Sequence, residues 1–129
     1  MLLNQASAAT MTSLLADADL SYANTAAMTT GSAKWLDVRP YDGEILVIQH
    51  IQAITGSVAG KLQSASDANG TGAADITGAT FTSVTTTDNT QSIAVDPKKV
   101  VGGFLGYVGT IATGPAVGQV IAGGKKHVV

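Results

Sequence analysis

The chain contains no cysteine, which excludes a disulfide framework, a thiolate nucleophile and a zinc–thiolate centre. Charge is nearly as scarce: Asp, Glu, Lys and Arg make up 12% of 129 residues, and the net charge is −2. Lysine doublets stand at Lys98-Lys99 and Lys125-Lys126, without a basic stripe or interleaved aromatics. Nucleic-acid binding draws on counterion release at clustered cations, so no nucleic-acid partner is expected. Aromatic residues are 5% of the chain. No apolar run approaches the roughly 18 residues that a membrane helix needs, so no membrane partner is expected either. The N-terminal stretch MLLNQASAATMTSLLADADL has no charged n-region and no continuous apolar segment, and does not read as a signal peptide.

What the chain does have is Ala, Thr, Val and 15 glycines, with 45% apolar residues. That is enough to fill the core of one domain, and the β-branched content argues against disorder. A free monomer normally keeps copies apart with surface charge, so a surface this poor in charge is expected to be partly covered by other chains.

Residues 1–32 show little periodicity. Ser13 can cap a short helix to Asp19 carrying Leu14 and Leu15 on one face, and NTAAMTTGS reads as extended chain. The segment is read as a frayed end or as an N-terminal arm that orders on a neighbouring subunit. Leu2, Leu3, Leu14, Leu15 and Met28 are the residues such an arm would bury.

From residue 33 to 129 the pattern is that of strands. Lys34 to Val38 and Glu44 to Ile54 flank PYDG, which suits a tight reversal. Glu44 to Ile54 is expected as a central strand, apolar on both faces at first and mixed from Gln49, His50 and Gln52 onward. Val58, Gly60 and Leu62 share one face of the next strand, with Lys61 and Gln63 on the other. Phe81 is the expected core anchor, Ile93 and Val95 point inward, and Pro97 ends their strand. KVVGGFLGYVGTIAT and AVGQVIAGG complete the set across a TGP turn. Glycines inside GGFLGYVGT predict a bulge, or a backbone or aromatic ring packed against the strand. Short strands separated by Gly and Pro predict an all-β, antiparallel β-sandwich or jelly-roll-like domain with an extended N-terminal arm. Phe81, Ile48, Leu62 and Ile93 are expected between its sheets.

Candidate chemistry is thin. GKLQSASDANGTGAADITGAT places Asp67, Asn69, Thr71 and Asp75 like calcium ligands, but the twelfth position, where an EF-hand needs a bidentate Glu, is Gly78. Asp, Asn and Gly also build plain turns, and the stretch is read as a corner rather than a metal site. His50 and His127 have no ligand-spaced partner, and His50 is read as a satisfied strand histidine. Asp37, Asp42 and Glu44 straddle a turn and read as solvated, with Arg39 as a surface ion-pair partner. No nucleophile elbow, phosphate loop or dinucleotide fingerprint occurs. No catalytic residue and no cofactor are expected, and the chain does not read as an enzyme.

The segments WLDVRPYDGEILVIQHIQAITG, GKLQSASDANGTGAADITGATFTSVT, QSIAVD and FLGYVGTIATGPAVGQVIAGGKK, in that order, resemble small virion structural proteins of tailed bacteriophages, including capsid decoration (cement) proteins. The resemblance spans Trp35 to Lys126. It implies a non-enzymatic structural role. Joined to the low surface charge and to sandwich edges that trimerisation or docking would cover, it leads to the expectation of a protein made in the host cytoplasm, seated on the capsid surface of the virion, binding the major capsid protein and self-associating as a homotrimer. A carbohydrate-binding module or a neck or tail component is the alternative. The former would present several aromatics on one face, and only Trp35 and Tyr41 stand close together in sequence.

Overall fold

The structure, a computed structural model, describes residues 9–13, 29 and 33–126. Eight strands occur in chain order: β1 (Ala9–Ser13), β2 (Leu36–Asp37), β3 (Tyr41–Ile54), β4 (Ser57–Ala65), β5 (Ala74–Thr80), β6 (Asn89–Val95), β7 (Phe104–Ala112) and β8 (Ala116–Lys126). One 3-10 turn, Pro97–Lys99, separates β6 from β7; Asp96 caps it by accepting from Lys98 N–H. No helix among the described residues is long and apolar enough to cross a membrane.

The strands form two four-stranded antiparallel sheets, ordered β1-β8-β3-β6 and β2-β7-β4-β5. First pairs with last, second with seventh, third with sixth and fourth with fifth. That nesting is a long hairpin rolled into two layers, which is a jelly roll. The chain is therefore an all-β sandwich, as its turn spacing predicts. β1 lies inside the segment expected as an arm and supplies the edge of the first sheet, Ala9 opposite Lys125 and Ser13 opposite Ile121. Ser13 ends that strand, and the short helix expected from it to Asp19 lies outside the described residues.

The core lies between the layers. Ile45, Val47 and Ile51 of β3, Val58 and Leu62 of β4, Leu105 and Tyr107 of β7, and Val120 and Ala122 of β8 are all buried. Alternation follows the two-residue period of a strand with one face inward. Phe81 is buried as expected, its ring 6.0 Å from that of Tyr107 and tilted by 58°. Val95 is buried and Ile93 packs against the core from a half-buried position. Ile48 does not belong to the core. It shares the outer face with Leu46, because Ile45, Val47, Gln49 and Ile51 take the inward phase.

PYDG is not a hairpin turn. The reversal lies one step earlier, closed by Tyr41 N–H donating to the Val38 carbonyl, and it carries the chain from one sheet to the other. Asp42 and Gly43 lie within β3, where the pairing with β8 slips between Asp42 and Leu46; Gly43 has φ +77. An Asp-Gly pair serves a bulge as readily as a turn, since both need a residue that accepts positive φ.

Candidate functional site

Leu2, Leu3, Leu14, Leu15 and Met28, the residues expected to bind a partner, lie outside the described residues, as does Tyr22. The described surface offers three places to look: the β4–β5 corner, the grooves beside it, and the outer faces of the sheets.

The corner spends its carboxylates on the chain itself. Asp67 Oδ1 accepts from the main-chain N–H groups of Asn69 (2.9 Å) and Thr71 (3.1 Å), and Gly70 N–H donates to the Asp67 carbonyl. Hydrogen bonds from the Thr71 side chain and main chain, then from Asn69, hold the Asp67 carboxyl below the usual carboxylate range. Asp75 is engaged elsewhere, by Gln63 Nε2 at 2.8 Å and Lys61 Nζ at 2.9 Å, and its carboxyl is likewise held down, by Gln63 first and Lys61 second. The calcium-like spacing thus resolves into an Asx turn and a cross-strand ion pair. Among the described residues no group of three His, Cys, Asp or Glu side chains is placed to hold a metal ion.

An open groove of about 560 Å³ runs along β5 and the β7 entrance, lined by Ser64, Asp75, Ile76, Lys99 and Val101 among others. It brings together one carboxylate and one amine without a histidine, and the carboxylate already has two partners. Val101 is 77% exposed at its rim. The hydroxyls that line the groove are not hydrogen-bonded to Asp75, whose carboxylate is taken by Lys61 and Gln63, so no nucleophile–base hydrogen bond is formed there.

His50 lies on the outer face of β3, and its Nδ1 is 2.7 Å from Thr90 Oγ1 of the paired strand. Arg39 donates to both carboxylate oxygens of Asp37 at 2.9 and 2.8 Å and stacks over Phe104, 5.2 Å from the ring centre. The pair is exposed on both sides, so it orients the β2–β3 corner and adds little stability.

Among the described residues no aromatic side chain is more than half-exposed, so none stands out on a face as sugar stacking would need. Tyr41 and Tyr107 are buried. Trp35 is half-buried and lies over Gly106, where an added Cβ would come 2.6 Å from its Cζ3. The close-packed aromatic ring expected over the glycine-bearing strand is this indole.

The outer face of the first sheet is the most unusual surface. Leu46 is 42% exposed, and the half-buried Ile48 stands opposite the half-buried Ile121. Ala94, Ser92 and Thr90 continue the same rows across β6, and His50 and Gln119 continue them toward the far end. From Leu46 to His50, the rows across β8, β3 and β6 contain no Asp, Glu, Lys or Arg. The apolar run ILVI is what places leucine and isoleucine on this face.

One buried polar pair went unnoticed in the sequence. Gln49 points into the core, fully buried, and its Oε1 accepts the hydroxyl of Tyr107. Burial pushes the Tyr107 hydroxyl well above its ordinary pKa. Gly60 leaves the space in which the two side chains meet. Gln49 Nε2 has no hydrogen-bond partner among the described residues. A polar residue in the inward phase of an otherwise apolar strand is the signal that could have found the pair.

Comparison of the chain with protein-family models, with curated proteins and with solved structures finds no match.

Proposed function

We propose that this chain is a structural protein of a virus particle, a decoration or cement protein that seats on the outer shell and bridges neighbouring shell subunits. The observation that carries the reading is the uncharged outer face centred on Leu46, Ile48 and Ile121. Water-facing sheets ordinarily alternate apolar-in with charged or polar-out. A face that presents leucine and isoleucine beside Ala94, Ser92 and Thr90 on one side and Gly123 and Gln119 on the other suits burial against another protein.

Two further features support the reading. The segments of Trp35 to Lys126 resemble small phage virion proteins. The jelly roll is an architecture of viral capsid domains, although lectins and cupins share it, so the fold alone decides nothing. The mechanism is mechanical. Burying apolar area across a seam between shell subunits stabilises the seam by about 25 cal/mol for each Å² removed from water. No catalytic step and no cofactor enter.

The test is attachment. Purified protein incubated with emptied shells of its phage should co-sediment with them at saturating stoichiometry, and Leu46→Lys with Ile48→Lys should weaken attachment while leaving the fold intact. Binding on a glycan array without binding to shells would favour a carbohydrate-binding module instead.

A further inference from the structure

Two four-stranded sheets have four free edges, and an unpaired edge is a template for another strand unless something blocks it. Three of the edges here are blocked or short. β2 is only two residues long and is flanked by the Asp37–Arg39 pair. β1 spans five residues against the eleven of β8. β5 is irregular: its register with β4 shifts between Lys61 and Gln63, Gly78 within it has φ +79, and Asp75 stands near its start.

β6 differs from all three. Its seven residues, NTQSIAV, pair with β3 in unbroken register from Asn89–Ile51 to Val95–Ile45. Between 89 and 95 there is no charge, no proline, no glycine and no bulge. Among the described residues no main-chain group pairs with the main chain of its outer edge; Thr82 meets the strand only through the Gln91 side-chain amide, which accepts from the Thr82 N–H and donates to its carbonyl, each at 2.8 Å. Alternate residues of an edge strand direct their N–H and C=O away from the sheet, so β6 offers a row of unpaired donors and acceptors. Beside it, an opening of about 290 Å³ separates β6 from β5, and the inward-pointing Ile93 is left half-buried there.

We propose that β6 is a self-association edge, pairing antiparallel with β6 of a second copy across a two-fold axis, a dimer contact in place of the homotrimer that the resemblance implies. The occupant is argued from charge and size. In a two-fold antiparallel pair each residue near the axis meets itself or a near neighbour, so any charged residue would face its own kind, and like charges directly opposite destabilise. β6 is free of such residues from Asn89 to Val95, and the flanking Asp88 and Asp96 come opposite one another only beyond the two ends of the pair. With Ser92 on the axis, Ser92 faces its counterpart and Thr90 faces Ala94, and these exposed residues are too small to obstruct the approach. An edge meant for a charged partner strand would carry the opposite charge, and this one carries none. Pairing joins two first sheets into one eight-stranded sheet and makes their uncharged outer faces continuous. The inference does not depend on what the particle is.

The experiment combines sedimentation velocity with amide hydrogen exchange on the full chain, at micromolar and at near-millimolar concentration. The wild-type protein should form dimers, and amides of Thr90 to Ala94 should gain protection as the dimer fills. Ser92→Lys with Ala94→Lys should weaken dimerisation by at least about tenfold and leave the melting temperature nearly unchanged. A wild-type chain that stays monomeric throughout would overturn the proposal. So would an oligomer in which β6 amides exchange at the same rate at both concentrations, a readout that does not require the variant to fold. A monomer whose β6 amides gain protection only on emptied shells would assign the edge to a shell strand and overturn self-pairing.

Discussion

Replacing Tyr107 with Phe deletes one oxygen from the centre of the sandwich and leaves the ring packing against Phe81 in place. In the wild type that hydroxyl satisfies Gln49 Oε1, while Gln49 Nε2 already lacks a partner among the described residues. Tyr107→Phe therefore strands the whole amide in a fully buried site, at a cost of about 1–3 kcal/mol. For a domain of this size that is roughly a 4–12 °C fall in melting temperature. Gln49→Met, unbranched and close in volume, strands only the hydroxyl and also removes the unpartnered amide nitrogen, so it should cost less than Tyr107→Phe. In the double variant no polar atom of the pair remains, and stability should return most of the way to wild type. Denaturant titration of the four proteins yields a coupling energy of about 1–3 kcal/mol if the reasoning holds. Strictly additive losses, or a neutral Tyr107→Phe, would refute it.

Phe81→Ala should cost roughly 3–5 kcal/mol by opening a cavity beside Tyr107, measured by the same titration; a neutral result would put Phe81 outside the core. Asp67 is held below its ordinary pKa by Thr71 first and Asn69 next, so its contribution to stability is present above the ordinary carboxylate value of about 4 and is lost as pH falls through the lower folded-state value. Asp67→Asn should flatten the acid limb of a stability–pH curve in that window, and an unchanged limb would show that the corner does not depend on the carboxylate. Gly106→Val should push Trp35, the only tryptophan, off its seat and shift its fluorescence to longer wavelength, whereas an unshifted spectrum would mean that the indole does not pack there.

Much of the fold was legible because one residue in two carries the information. Val58 and Leu62 fall inward with Gly60, and Ile93 and Val95 share the inward face of β6, as alternation requires. The phase of β3 was not legible from Ile45 to Ile48, since four consecutive apolar residues fit either phase. The inward residue after them, Gln49, is polar, and only its meeting with Tyr107 across the layers settles the matter. The Asp-Gly in PYDG misled for a related reason: positive φ marks a bulge as well as a turn, and which one forms depends on pairing with β8, some eighty residues away in sequence. The order of strands in the sheets is a long-range property of the same kind. For the site, the corner at Asp67 could be read because its chemistry is local, within four residues. The outer face around Leu46, Ile48 and Ile121 could not, because it exists only once β3 and β8 lie side by side.

The central claim, proposed above, is that this jelly roll coats a virus shell, and an electron-microscopic reconstruction of the particle in which the chain is found tests it most directly. Density for the sandwich should sit on the outside of the shell, at seams between capsid subunits, with the face of Leu46, Ile48 and Ile121 buried against a protein neighbour. A particle without that density on its shell, or with the sandwich attached and that face turned to solvent, would contradict the account.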